Sequence, residues 1–223
     1  MLVTSRPQFF IHDKHHTDNS DALWPIPQWH LTSTDLAMGN LEFGGHDINP
    51  SLVNILARLR IIFHTSQLST TEMHDLTSFV VHELLSLQVS RCDDHEDKGL
   101  AVSQCLQNGL VLYMLIIHGT TYYSHMHFAS VFTRKLTSNI QALDLAGGSL
   151  ESLKVWAISI GMVSSFLPSD REWFMLQARS ARDSFSLTCW DDVVCHMRTI
   201  LWLEKQPDNT FRSQWQEVFS GPN

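Results

Sequence analysis

The segment GLAVSQCLQNGLVLYMLIIH, residues 99–118, has the pattern of a helix that lies inside a folded domain. Its first half carries polar residues on one side, whereas residues 110–117 are apolar without interruption. A helix that is apolar on every face is buried, either in a protein core or in a membrane. This run is far shorter than the roughly twenty apolar residues that cross a bilayer. The segment therefore predicts a central core helix and no membrane span.

Two amphipathic helices are predicted before the central one. Asn49-Pro50 supplies a cap followed by proline at the first helical position, and apolar residues recur after it at helical spacing. Ser69-Thr-Thr-Glu72 is a capping box, in which the hydroxyl and the carboxylate each accept a backbone N–H. Both segments therefore have a recognisable start and one apolar face.

Helical patterns also fill the sequence after the central helix. One ends at the glycine pair 147–148, and the next is predicted to run from a cap at Ser149 to Pro168, with one apolar stripe. Capping boxes at residues 169–172 and 188–191 are predicted to open two aromatic-rich helices, and a last short helix follows.

The pattern as a whole is that of one helical domain. No segment alternates as a half-buried strand does, and the connections are short. We therefore predict an all-α fold, an irregular antiparallel bundle of about seven to eight helices. Residues 1–28 are expected to form an irregular arm, residues 29–219 a single helical domain, and residues 220–223 a tail.

Composition excludes some functions and favours others. Fifteen Lys and Arg stand against 23 Asp and Glu, a net charge of −8. Because such a surface repels phosphate backbones, no direct nucleic-acid binding is predicted. Charged residues make up 17% of the chain, below the roughly 25% of ordinary domains, which favours a face covered by a protein partner or a second copy.

The cysteines and the N-terminus favour an intracellular location. The four cysteines form no C-x-x-C pair, so neither a zinc site nor a disulfide-exchange motif is predicted. No signal-peptide pattern is present at the N-terminus.

Several landmarks follow one another along the chain in a recognisable order. They are Leu84-Leu-Ser-Leu87, Asp93-Asp94, Tyr113-Met-Leu115, Leu153-Lys-Val-Trp156-Ala157 with Gly161, Arg171-Glu-Trp-Phe174, Trp190-Asp-Asp192, Leu201-Trp202 and Trp215-Gln-Glu217. This order resembles the C-terminal part of the fungal-specific transcription factor domain, the regulatory region that usually follows a binuclear zinc cluster. The resemblance covers about residues 29–219.

The resemblance implies a regulatory or ligand-responsive helical module in the nucleus; without it, the cytoplasm is expected. The chain has no six-cysteine cluster and no basic linker, and it corresponds to only the latter half of the family's regulatory domain. DNA binding is therefore not implied.

The acidic segment Asp93-Asp94-His95-Glu96-Asp97 contains D-D-x-x-D, the spacing by which helical terpene cyclases hold magnesium ions. Such enzymes also need a second ligand set, and the sequence contains none. A solvated acidic loop is the favoured interpretation. Asp93, Asp94 and Asp97 are the weak metal candidate, and no metal site is predicted.

Other chemistry-bearing motifs are missing. The chain has 13 histidines but no H-E-x-x-H. The densest group is His118, His125 and His127, which we interpret as loop histidines bonded to nearby backbone. No nucleophile elbow, Walker loop or dinucleotide fingerprint occurs, so no cofactor is predicted and no catalytic residue is assigned.

Aromatic residues are the strongest feature of the sequence, with seven Trp and twelve Phe. The favoured interpretation is that they pack helices together. The functional alternative is that Tyr113, Trp156 and Trp173, with His118, line a pocket for a small apolar ligand, and that Gly161 opens the space.

Three functions stay open at this point. The first is a regulatory helical module that responds to a ligand. The second is a cofactor-independent cyclase or isomerase of secondary metabolism, in which an aromatic pocket preorganises the substrate. The third is a co-regulator that heterodimerises through an exposed apolar face.

Overall fold

The computed structural model describes residues 25–29, 48–87, 97–119, 126–146, 150–203 and 208–221. Within these segments the fold is all-helical, with eight α-helices, one 3-10 turn at Pro27–Trp29 and no strand. The helices are α1 (Pro50–Thr65), α2 (Thr70–Ser86), α3 (Asp97–His118), α4 (Met126–Ala146), α5 (Glu151–Ser164), α6 (Pro168–Ser184), α7 (Trp190–Ile200) and α8 (Asp208–Ser220). The prediction of an all-α bundle is confirmed.

The first two helices begin where the sequence predicts. The side chain of Asn49 accepts a hydrogen bond from the Ser51 N–H at 2.9 Å. Ser69 and Glu72 form the reciprocal capping box, with Ser69 N–H donating to Glu72 Oε2 at 2.8 Å and Glu72 N–H donating to Ser69 Oγ at 3.3 Å. These contacts join residues only two or three positions apart, so local sequence suffices to place them.

Two predicted boundaries around α5 and α6 are wrong. Pro168 does not close α5 but occupies the first turn of α6, and the N-cap is Leu167, so Ser169 lies inside the helix and forms no capping box. Proline suits this position because its fixed φ matches the helix and its missing N–H would have no partner there. Ser149 lies outside the described residues, and α5 has Leu150 at its N-cap without a side-chain hydrogen bond.

The start of α7 also differs from the prediction, by one residue. Its N-cap is Cys189, and Asp192 is the third helical residue. The Asp192 carboxylate accepts hydrogen bonds from the N–H groups of Thr188, at 2.7 Å, and Cys189, at 3.0 Å. The sequence predicts the box at residues 188–191, with Asp191 as the acceptor, whereas the next residue, Asp192, makes the contacts.

Helix α5 shares the centre of the fold with α3. It packs against α3, α4, α6, α7 and α8, and residues 155–162 are all buried. The sequence predicts one apolar stripe on α5, but the structure buries consecutive residues of this helix and therefore more than one of its faces. Neighbouring helices surround it, and small residues such as Ala157, Ser159 and Gly161 let them approach closely.

Helix α3 is the core helix that the sequence predicts, and it packs against α2, α4 and α5. Residues Gly99–His118 are long and apolar enough to cross a membrane by length and composition, yet 67% of this window is buried inside the fold. A soluble helical domain buries its central helix in the same way.

The segment before α1 contributes to the core as well. Ile26 and Trp29 are buried, and the Trp29 ring meets Phe79 of α2 edge to face, with centroids 5.2 Å apart. Arg58 of α1 lies over the same Trp29 ring at 5.6 Å. The sequence predicts that residues 25–28 belong to the irregular arm, and residues 1–24 of this arm lie outside the described part of the chain.

Candidate functional site

Two of the aromatic residues singled out in the sequence, Tyr113 on α3 and Trp156 on α5, meet in the core. Their ring centroids are 6.0 Å apart, and both side chains are fully buried. The Tyr113 hydroxyl accepts a hydrogen bond from the Leu203 N–H at 2.8 Å, and Trp156 Nε1 donates to the Leu201 carbonyl at 2.9 Å. Burial raises the pKa of Tyr113 above its ordinary value. Both polar groups therefore hold the segment that follows α7.

Trp173, the third predicted pocket residue, lies half-buried on α6, where its ring meets Phe174 edge to face at 4.9 Å. Phe174 fills the space beside Gly161, since a Cβ atom at residue 161 would lie 2.0 Å from Phe174 Cε1. Gly161 therefore admits the Phe174 ring instead of opening a pocket.

His118 stands at the end of α3 and is half-buried. Its Nε2 lies 3.0 Å from His74 Nδ1 on α2, and its Nδ1 lies 3.2 Å from the Gly119 carbonyl. An N–H···N bond between imidazoles needs one ring as a neutral acceptor. No local sequence pattern predicts this contact, because the two histidines are 44 residues apart. His125 lies outside the described residues, as does the His127 side chain.

The weak metal candidate is only partly within the described chain. Asp93 and Asp94 lie outside it, and Asp97 is the first residue of α3, with a side chain that is not described. Among the described residues, no group of three or more His, Cys, Asp or Glu side chains is placed to hold a metal ion.

A surface cleft of about 500 Å³ opens between the α5–α6 turn, α6 and α8, and we call it the α6 cleft. This volume is in the range of small-molecule sites. Its apolar wall consists of Phe166, Leu167, Pro168, Met175 and Leu176. Three of these side chains are large and about half exposed: Phe166 at 47%, Leu167 at 50% and Leu176 at 54%.

Four charged residues complete the α6 cleft: Arg171, Glu172, Arg179 and Glu217. Arg171 donates hydrogen bonds to the Glu217 carboxylate and, at 3.2 Å, to the Gln214 amide oxygen, so it joins α6 to α8. Arg179 Nε is buried without a hydrogen-bond partner among the residues that the structure describes. The cleft thus combines an apolar wall with one cation that no described carboxylate neutralises.

A second cleft, of about 320 Å³, lies between α7 and α8 and includes Trp190, Cys195, Arg198, Trp202 and Arg212. The Trp190 and Trp202 rings meet edge to face with centroids 6.1 Å apart. Neither cleft is lined by Tyr113, Trp156 or Trp173.

The acidic and thiol groups with clearly shifted pKa values lie outside both clefts. Burial raises the pKa of the Cys105 thiol to about 12. Hydrogen bonds from Thr188 and Cys189 lower the pKa of Asp192 to about 2, and hydrogen bonds from Ser69 lower that of Glu72. Active sites tend to gather such groups, but here core packing and helix capping account for them.

No family model, curated protein or solved structure matches the chain. The resemblance to the fungal-specific transcription factor domain therefore stays a prediction.

Sequence reasoning missed the α6 cleft, although one signal pointed to it. Phe174 and Ala178 lie on the buried stripe of α6, whereas Leu176 lies between them on the opposite face. A large apolar residue on the polar face of a helix, next to the apolar turn Phe166-Leu167, is a surface signal.

Proposed function

We propose that the chain is a regulatory, ligand-responsive helical module, of the kind that the resemblance implies, and that its small apolar ligand binds in the α6 cleft. The observation that carries this proposal is the group of half-exposed side chains Phe166, Leu167 and Leu176 around one cleft. Burying a large apolar side chain contributes about 1.5–3 kcal/mol. An apolar ligand that covers all three would therefore bind favourably.

The position of the cleft supports a response to the ligand. The Arg171–Glu217 pair links α6 to α8, and both helices pack against α5, which also contacts α3, α4 and α7. A ligand that favours one spacing of α6 and α8 would shift the population of arrangements around α5. In this proposal the module acts in the nucleus on a protein that carries the DNA-binding part.

The enzyme alternative, a cyclase or isomerase, requires an acid or base that faces the substrate. The described lining of the α6 cleft includes no histidine, and one of its two carboxylates, Glu217, forms an ion pair with Arg171, which leaves Glu172 as the candidate acid or base. The groups with raised pKa values are in the core. The geometry therefore favours binding over catalysis.

The co-regulator alternative is supported by a different surface. Phe128 and Val131, three residues apart on α4, are 37% and 38% exposed. Residues at this spacing share one helix face, and a partner protein could cover them.

The proposal is tested with N-phenyl-1-naphthylamine, a neutral apolar fluorophore, titrated into the full chain. We expect saturable binding with one site. Leu176→Ser should weaken it about tenfold, because the bound fluorophore would no longer cover a leucine side chain. Leu85→Ser is the matched control, since Leu85 on α2 is similarly exposed, at 48%, and lies outside the cleft. Equal loss in both variants, or no saturable binding, would contradict the proposal.

A further inference from the structure

Among the described residues, the charges of the α6 cleft leave one cation without a counter-ion. A guanidinium has five N–H donors and no acceptor. Arg179 Nε is buried and unpartnered, and no described group forms an ion pair or hydrogen bond with this side chain. A Cβ atom on Gly221 would lie 3.1 Å from Arg179 Nη2, so the guanidinium lies against the backbone at the end of α8.

The other arginine of the cleft already has a counter-ion. Arg171 forms an ion pair with Glu217 and donates to Gln214. An anionic ligand would have to compete with Glu217 for Arg171, whereas it would meet no competitor from the described part of the chain at Arg179. The cleft therefore offers a place for one negative charge.

The remaining carboxylate of the cleft is Glu172. It precedes Arg179 by seven residues on α6, which is two helical turns or about 10 Å along the axis. Met175 and Leu176 lie between the two charged residues and contribute to the apolar wall. Along this face of α6 the order is thus a cation, an apolar stretch and an anion.

From this order we infer that the α6 cleft selects an amphiphilic monocarboxylic acid. The carboxylate binds the Arg179 guanidinium, and the apolar chain covers Leu176, Leu167 and Phe166. A second carboxylate at the far end of the ligand is disfavoured, because it would lie near Glu172. The inference rests on the proposed function, to which it adds the class of ligand.

The test compares three ten-carbon ligands by displacement of N-phenyl-1-naphthylamine from the full chain: decanoate, decanol and decanedioate. Because a hydrogen bond to a charged group is worth about twice a neutral one, we expect decanoate to bind about tenfold more tightly than decanol. Decanedioate is expected to bind more weakly than decanoate.

Variants show whether Arg179 is responsible. Arg179→Gln should reduce decanoate binding to about the level of decanol, and an unchanged circular dichroism spectrum would show that the variant is folded. Arg179→Lys should retain part of the preference, because it keeps the charge but not the planar fork. Arg134→Gln is the matched control, since Arg134 is an exposed arginine on α4 outside the cleft.

The outcomes separate the inference from the proposed function. If decanoate and decanol bind equally well, or if Arg179→Gln keeps the preference for decanoate, the inference is overturned and the apolar site stands. If neither decanol, decanoate nor the fluorophore binds, the proposed function fails and the inference fails with it.

Discussion

Tyr113 and Trp156, on the two central helices, lie with ring centroids 6.0 Å apart and hold the same stretch of backbone through their polar atoms. Tyr113 Oη accepts from the Leu203 N–H, and Trp156 Nε1 donates to the Leu201 carbonyl. The segment after α7 has no helical hydrogen bonds of its own at these groups. The two aromatic side chains therefore take the place of secondary structure there.

We expect Tyr113→Phe to destabilise the fold by about 1–3 kcal/mol, because it leaves the Leu203 N–H without its acceptor. Urea unfolding followed by circular dichroism measures the loss. Trp156→Phe should cost more, since it removes a hydrogen bond and opens a cavity as well. The double variant should lose less than the sum of the single losses, because both residues hold one segment. Strict additivity would show that the two contacts are independent.

Gly161→Ala is expected to destabilise the protein by about 1–3 kcal/mol, although alanine normally favours a helix over glycine. The reason is the contact of 2.0 Å that the new Cβ would make with Phe174. Thermal unfolding checks this effect. Phe174→Leu in the same chain should recover part of the Gly161→Ala loss, since a smaller side chain makes room. A rise in stability from Gly161→Ala alone would refute the close packing.

Acidification should reduce the stability that the hydrogen bonds at the start of α7 provide. The pKa of Asp192 is lowered from 3.8 to about 2 by hydrogen bonds from Thr188 and Cys189. A carboxyl whose folded pKa is depressed contributes stability above its unfolded pKa, and this contribution is lost as the pH falls towards the folded value. We therefore expect part of the stability to disappear between about pH 4 and pH 2.

Asp192→Asn should remove this pH-dependent part and lower the stability at neutral pH. Urea unfolding at several pH values measures both effects. Asp191→Asn is the matched control, since Asp191 lies in the same first turn but accepts none of these hydrogen bonds. The expectation fails if both variants flatten the pH profile equally.

The described cysteines should differ in reactivity. Cys105 is fully buried in α3, and burial raises its pKa to about 12, so little thiolate is present at neutral pH. Cys189 and Cys195 are exposed. Iodoacetamide should modify Cys189 and Cys195 in the native protein, and Cys105 only after unfolding, as followed by peptide mass mapping. Native labelling of Cys105 at the rate of Cys195 would contradict this packing.

Local contacts explain which helix starts were predictable. The Ser69–Glu72 box closes within three residues, so the residue types alone indicate it. The pattern Ser169 to Glu172 has the same residue types but lies inside α6, because Pro168 takes the first helical position. Pro168 and the pattern Ser169 to Glu172 therefore predict two different starts for the same helix. The helix begins at Pro168, where it packs against α5 and α8.

The α6 cleft is formed by contacts between residues far apart in the chain, which no local sequence pattern predicts. Leu176 is visible in the sequence as an apolar residue on a polar helix face, but the charges around it are not. Arg171 and Glu217 are 46 residues apart, and Arg179 meets Gly221 only where α6 packs on α8. The pairing of His74 with His118 likewise joins two helices.

Periodicity and capping chemistry were enough to establish an all-helical chain with a buried α3, because helices depend on residues three and four positions apart and burial follows apolar content. Only the tertiary structure decided which aromatic residues pack inside and which helices surround α5. It also decided that Arg179 has no counter-ion within the described ranges. Such features depend on contacts between residues that are distant in the sequence. The distances between these residues are determined by the close packing of all the helices together.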